Sequence, residues 1–310
     1  MNDLFGLAPN AYTTARELRL LIANFGPQNS RFILTAPRYQ DWHQRLLKEF
    51  EQCGDIERER IKTVLSRAKS AHALIDKINL PWSVTATWTE NAVKVWKTGG
   101  DYKKIYVSDE EHDSITRTGA ADLLAILVPA SEPEQFSPSD EQIDSSPESY
   151  WRASKILCTI SSDIHFIDPY LNPLKRDFKG AFTFYLQQLS NNPKVNSINF
   201  WVREKSISDY RGDQSGPSIR ELMVQSVVNK AKDLKVNFNL LADEAAIDKL
   251  HARYILTEFG GVKFDQGFQK LPEGRFNIVS PIGLDLHQVL YQKFSNRKFD
   301  FKISSTICVP

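Results

Sequence analysis

The segment RFILTAP (31–37) reads as a short strand, and YQDWHQRLLKEFEQC (39–53) spaces Trp42, Leu46, Leu47 and Phe50 at the 3.6-residue rhythm of an amphipathic helix. A second helical stretch is expected over 55–77, followed by SVTATW as a strand, ENAVKVW as a short helix and KKIYV as a strand. ADLLAILVPA reads as a buried element of either type. These elements predict a mixed α/β or α+β domain over residues 1–130.

Beyond residue 150 the alternation is more regular. KILCTISSDIHFIDPYL (155–171) predicts a short helix and the strand IHFID, with Asp168, Pro169 and Tyr170 at its carboxyl end. A helix FKGAFTFYLQQLSNN, a strand VNSINFWV, a helix IRELMVQSVVNKAKDL and a strand VNFNLLA follow. Strands alternating with helices of this length imply βαβ units on a mixed, largely parallel sheet flanked by helices. In such sheets ligands bind beyond the carboxyl ends of the strands. The paired glycines Gly260 and Gly261 predict a hairpin over 250–264, Gly267 permits a further close backbone approach, and FDFKISSTICVP is strand-like.

Residues 131–150, SEPEQFSPSDEQIDSSPESY, hold six acidic and no basic residues. That composition reads as a linker or surface loop, dividing the chain into 1–130, 131–150 and 151–310. Residues 1–150 carry 17 basic and 22 acidic residues, and 151–310 carry 22 and 16, so the C-terminal half is the one suited to an anionic partner. No apolar run approaches the length needed to span a bilayer, and the first residues lack a signal-peptide pattern, so a cytoplasmic location is expected. Cys53, Cys158 and Cys308 have no paired spacing and are expected to be buried thiols; no metal ligand set or cofactor is expected.

The candidate chemistry lies in LHARYILTEFGGVKFDQGF. Residues two apart on a strand share a face, so His251 and Arg253 would stand side by side, a guanidinium fork next to an imidazole that can donate, accept or attack. Glu258, if brought to them, would orient the imidazole or pair with Arg253. Tyr254 falls on the opposite face and is expected to pack. Arg211 and Arg220 flank the turn DQSGPS (213–218), which serves either as a phosphate-binding helix start or as an ordinary connector.

The strand and helix order over residues 150–310, together with His251-x-Arg253-x4-Glu258, resembles the phospholipase D-like superfamily. It is most similar to the phospholipase D-like domain of proteins that also carry a microtubule-interacting-and-trafficking domain, and to their bacterial relatives. The resemblance implies that His251 stands at the nucleophile, Arg253 at the lysine and Glu258 at the aspartate. It places Asp265 where the family has glycine and Phe268 where it has asparagine. One motif is present where active members bring two together, so the resemblance implies a homodimer for any catalysis. Three readings follow: a degenerate phosphate-binding module whose partner is most readily nucleic acid; a homodimeric, metal-independent phosphodiesterase or nuclease acting through a phosphohistidine at His251; and a non-catalytic adaptor. The adaptor would meet protein, through the N-terminal domain, or anionic phospholipid head groups.

Overall fold

The structure, a computed structural model of the full chain, describes residues 3–76, 80–98, 102–132, 140–208, 218–228, 230, 234–242, 252–299 and 302–309. The chain divides into two units, Asp3–Ser137 and Pro138–Pro310, with Met1–Asn2 grouped with the second.

The N-terminal unit is built on five parallel strands in the order β3-β2-β1-β4-β5. These are β1 (Asp3–Leu7), β2 (Arg31–Thr35), β3 (Leu74–Asp76), β4 (Tyr102–Val107) and β5 (Leu127–Pro129). β2 is buried along its whole length and β1 over its last four residues, as expected of strands covered on both faces. The connections are α1 (Ala15–Ile22), α2 (Tyr39–Glu49), α3 (Asp55–Ser70), α4 (Trp88–Lys97), α5 (Asp109–Thr118) and α6 (Ala121–Leu124).

Two expectations are corrected here. The helix expected over 55–77 stops at Ser70; the chain turns through His72, at φ 54°, and β3 follows. SVTATW is not a strand. Its Thr87 side chain accepts from the Glu90 backbone N–H while the Glu90 carboxylate accepts from Thr87 N–H, a capping box that starts α4 at Trp88.

The C-terminal unit carries an eight-stranded sheet in the order β13-β9-β8-β7-β10-β11-β12-β6. Its strands are β6 (Glu141–Asp144), β7 (Asp163–Ile167), β8 (Ser197–Arg203), β9 (Lys235–Leu241), β10 (Arg253–Thr257), β11 (Gly261–Phe264), β12 (Phe276–Pro281) and β13 (Ile303–Val309). Only β7-β8 and β8-β9 are parallel among the seven pairings, so the sheet is mixed rather than largely parallel. The cause is local: β10 runs antiparallel to β7, and β10, β11 and β12 follow one another as antiparallel neighbours joined without helical crossovers.

Helices α7 (Pro147–Ile160), α8 (Arg176–Ser190), α9 (Glu204–Ser208), α10 (Ile219–Val228) and α11 (Leu284–Ser295) complete the unit. On one sheet face Phe166, Phe200 and Phe238, in register on β7, β8 and β9, stack at 4.9 and 5.2 Å beneath α8 residues Phe182 and Tyr185. On the other, Ile167, Trp201, Leu241, Leu256, Ile282 and the α11 residue Phe294 form a buried cluster, with Tyr254 packed against it as its strand position predicts.

The segment 131–150 is also corrected: its described part contains β6, paired antiparallel with β12, and the first turn of α7, whose N-cap is Ser146. Backbone pairing and capping use the Ser, Pro and Asp residues that made the composition look like a linker. Of the three thiols Cys158 alone is buried; Cys53 is half-buried, Cys308 lies exposed on β13, and burial pushes the Cys158 thiol up to about 12. Among the described residues no helix is long and apolar enough to cross a membrane.

Candidate functional site

A cleft of about 460 Å³ opens at the carboxyl ends of β7 and β8, where a parallel strand pair leaves room for a ligand. Four cations line it: Lys175, Arg203, Lys205 and Arg253, together with Asp168, Tyr170, Gln266 and Gln269. Each position has a local cause. Arg203 ends β8 and Lys205 lies in α9, whose Ser206 hydroxyl donates to the Pro169 carbonyl at 2.8 Å and whose Ser206 carbonyl accepts from the Asn172 side chain at 2.8 Å. These bonds join the segment after β7 to the segment after β8. Lys175 is the N-cap residue of α8, and Arg253 begins β10, which pairs antiparallel with β7.

Asp168 sits at the base, 1% exposed. One carboxylate oxygen accepts from Tyr170 N–H at 2.9 Å and the other from Phe268 N–H at 3.3 Å, while Arg253 Nε stands 3.9 Å away. Burial raises its pKa, opposed by the Tyr170 N–H, the Arg253 charge and the Phe268 and Leu171 N–H groups; burial prevails. Arg253 donates to the Asp265 carbonyl. The Tyr170 ring has the Arg253 and Arg203 guanidinium carbons 5.0 and 5.6 Å from its centroid, so one exposed aromatic holds two cations beside each other.

The wall formed by residues 265–269 is fixed from behind. The fully buried Asn277 on β12 accepts from Gln266 N–H at 2.9 Å and donates to the Gly267 carbonyl at 2.8 Å. The α7 residue Tyr150 donates to the Gln269 carbonyl at 2.7 Å, and burial lifts its phenol to about 12. Gly267, at φ 72°, lies so close to Arg253 and Asp168 that a Cβ there would come within 2.7 Å of Arg253 Cδ. The close approach expected at this glycine is therefore made against the site itself.

The predicted residues fare differently. Arg253 lines the cleft, while His251 and Arg211 lie outside the described residues. Glu258 ends up at the other end of β10, roughly 16 Å from Arg253 at the rise of an extended strand. There it accepts from Ser162 N–H at 2.6 Å, from the Ser162 hydroxyl at 2.9 Å and from Asp163 N–H at 3.4 Å. It neither pairs with Arg253 nor takes part in the cleft, because one strand separates the two side chains. Arg220 is exposed on α10 and is not part of the cleft wall. Of DQSGPS only Ser218 is described, and it forms a reciprocal cap with Glu221, so the first turn of α10 is satisfied internally.

Lys175, Arg203, Lys205, Asn277 and Tyr150 were not singled out in the sequence. The cations had a signal: Arg203 is the last residue of β8, and Lys205 and Lys175 follow the carboxyl ends of β8 and β7. His165 and His287, the two histidines that sequence alone allowed near His251, each bond described partners. His165 bonds Asp163 at 2.9 Å and accepts from the Trp201 indole at 3.1 Å; His287 contacts the Thr257 carbonyl at 2.8 Å. Among the described residues no group of His, Cys, Asp and Glu side chains is arranged to hold a metal ion.

No protein-family model matches the chain, and no curated protein matches it. One solved structure with a detectable likeness is TrmBL2, an archaeal chromatin protein reported to show a novel mode of DNA binding. It is 9% identical, with 83% of this chain and 87% of that one covered, at a TM-score of 0.30, a level of likeness that carries no argument.

Proposed function

We propose that the C-terminal unit binds a phosphate-bearing polymer, nucleic acid foremost, as a degenerate phospholipase D-like module. The observation that carries this reading is the cleft in which Lys175, Arg203, Lys205 and Arg253 surround one buried carboxylate. Four cationic side chains gathered at one cleft suit a phosphate dianion or a run of diesters, which arginine forks can engage bidentately. Arg253, the first residue of β10, stands at this cleft, which supports the phospholipase D-like reading. Arg253, with a side chain 21% exposed at an open cleft, speaks against an adaptor in which that residue is buried and saturated.

Binding of labelled DNA, RNA and anionic vesicles across a salt series tests the proposal. Nucleic acid affinity is expected to fall linearly with salt on logarithmic axes, and Arg253→Ala is expected to lower that slope by about 1. Absence of salt-sensitive binding to every probe sinks it. The second reading, a homodimeric metal-independent phosphodiesterase, draws on Arg253 occupying the cleft two residues after His251. It requires cleavage of DNA, RNA, cyclic nucleotides or phospholipids in EDTA, abolished by His251→Ala.

A further inference from the structure

The order β3-β2-β1-β4-β5 reverses direction between β1 and β4. Connections leaving the sheet on either side of that pair diverge, and the carboxyl ends of the two strands border the crevice in which open parallel sheets bind ligands. A cleft of about 660 Å³ occupies that position: Pro9 and Asn10 follow β1, Ser108 follows β4, and Thr87 and Thr89 start α4. The remaining wall is α2. Its Trp42 indole donates to the Leu7 carbonyl at 2.7 Å, seating the helix over the end of β1 and bringing Arg45 and Lys48 to the cleft.

The Arg45 side chain is half-buried and has no hydrogen bond or ion pair with any described residue; that of Lys48, exposed, has none either. Glu49 lines the same wall of the cleft, and no described carboxylate is engaged in an ion pair with Arg45; a guanidinium partly withdrawn from water and left without an ion-pair partner is a receptor for an anion. The helix starts do not supply that role. Thr87 and Glu90 cap each other, and Ser108 accepts from Glu111 N–H at 3.3 Å. Glu110 and Glu111 stand on the same cleft and offer carboxylate acceptors, the groups that receive hydrogen bonds from ribose hydroxyls in sheets of this kind.

The turn after β1, Ala8-Pro9-Asn10-Ala11, contains no glycine, and Pro9 has no N–H. It therefore lacks the close-approach backbone that cradles a pyrophosphate. We propose that the crevice binds a ribose monophosphate of the nucleoside 5′-monophosphate class. Arg45 and Lys48 hold the phosphate, and Glu110 and Glu111 take the ribose hydroxyls.

Calorimetric titration of the full chain carrying Arg253→Ala, which weakens phosphate binding at the C-terminal cleft, reads this site, and the Arg45 and Lys48 variants assign the heat to it. Adenosine 5′-monophosphate is expected to bind at one per chain and more tightly than inorganic phosphate. Arg45→Ala is expected to weaken it at least about tenfold, the worth of a charge-assisted hydrogen bond. Lys48→Ala, at an exposed position whose loss leaves the fold intact, weakens it in the same direction. Glu110→Gln with Glu111→Gln lowers affinity for the ribonucleotide and leaves 2′,3′-dideoxyadenosine monophosphate unchanged. No binding at millimolar ligand, affinity unchanged by both cation substitutions, or tighter binding of NAD than of the monophosphate overturns the proposal.

Discussion

Gly267→Ala tests whether the wall of the cationic cleft rests on Asp168 and Arg253. The substitution has two costs. At φ 72° an L-residue adopts the left-handed region, worth about 1–2 kcal/mol. The new methyl also meets Arg253 Cδ at 2.7 Å and Nε at 3.1 Å, and runs into the Asp168 carboxylate, a buried overpacking worth about 1–3 kcal/mol. Gly274 provides the internal control, since it has φ 78° with open space where its Cβ would go. Gly274→Ala thus incurs the backbone cost alone, and the difference between the two variants, about 1–3 kcal/mol, isolates the contact with the site. Native-state hydrogen exchange of β7, β8 and β10 amides reads the C-terminal unit directly. In thermal unfolding the difference corresponds to about 2–4 °C for each kcal/mol in a unit of this size. Salt-dependent nucleic acid binding should weaken in Gly267→Ala and persist in Gly274→Ala. Equal destabilisation by both, with binding unchanged, refutes the close packing of residues 265–269 on Asp168 and Arg253.

Glu258→Ala removes an acceptor for three donors at the amino end of β7, so a loss of about 1–3 kcal/mol is expected with binding at the cleft unchanged; a selective loss of binding would return Glu258 to the site. Asn277→Leu leaves Gln266 N–H and the Gly267 carbonyl without their partner, and is expected to cost about 2–4 kcal/mol and to weaken phosphate binding, read by denaturation and anisotropy together. His287 has its pKa lowered from 6.5 by burial, against the Thr257 and Gly260 carbonyls, which raise it. The unfolded chain therefore binds the extra proton first, and the stability this residue contributes is present above pH 6.5 and lost as pH falls below it. A His287→Gln variant should show a shallower loss of stability over that acid range; an unchanged profile contradicts the assignment.

Elements whose local pattern coincides with their burial were legible. RFILT, KKIYV, INFWV and VNFNLL are strands covered on both faces or nearly so, and their apolar runs state it. EQID was not legible as β6, because it is an edge strand with one buried residue, Ile143, and is held by backbone pairing to β12. SVTATW failed for the opposite reason: its β-branched residues suggested extension, while the decisive feature was the Thr87-x-x-Glu90 box that starts a helix. The end of α3 carries no glycine to announce it, since His72 itself takes the left-handed conformation.

The site divides along the same line. Asp168 and Tyr170 could be placed from sequence because the carboxyl end of a parallel strand is a position with functional meaning. Extending that rule to β8 would have found Arg203 and Lys205, and treating the start of α8 as the continuation of β7 would have found Lys175. Asn277 and Tyr150 belong to another class. Each holds the 265–269 wall through main-chain groups, from β12 and α7 respectively, and hydrogen bonds to main chain impose no residue type on the segment they hold. Glu258 shows the converse. Its spacing from His251 and Arg253 was the strongest pattern in the run, yet extended backbone converts five residues into separation rather than proximity. A motif read along one strand therefore locates that strand's first residue at the cleft and says nothing of its last. The groups that complete the cleft come from the ends of β7 and β8, the segments after them and the 265–269 wall after β11, and β10 meets β7 only once the sheet has formed.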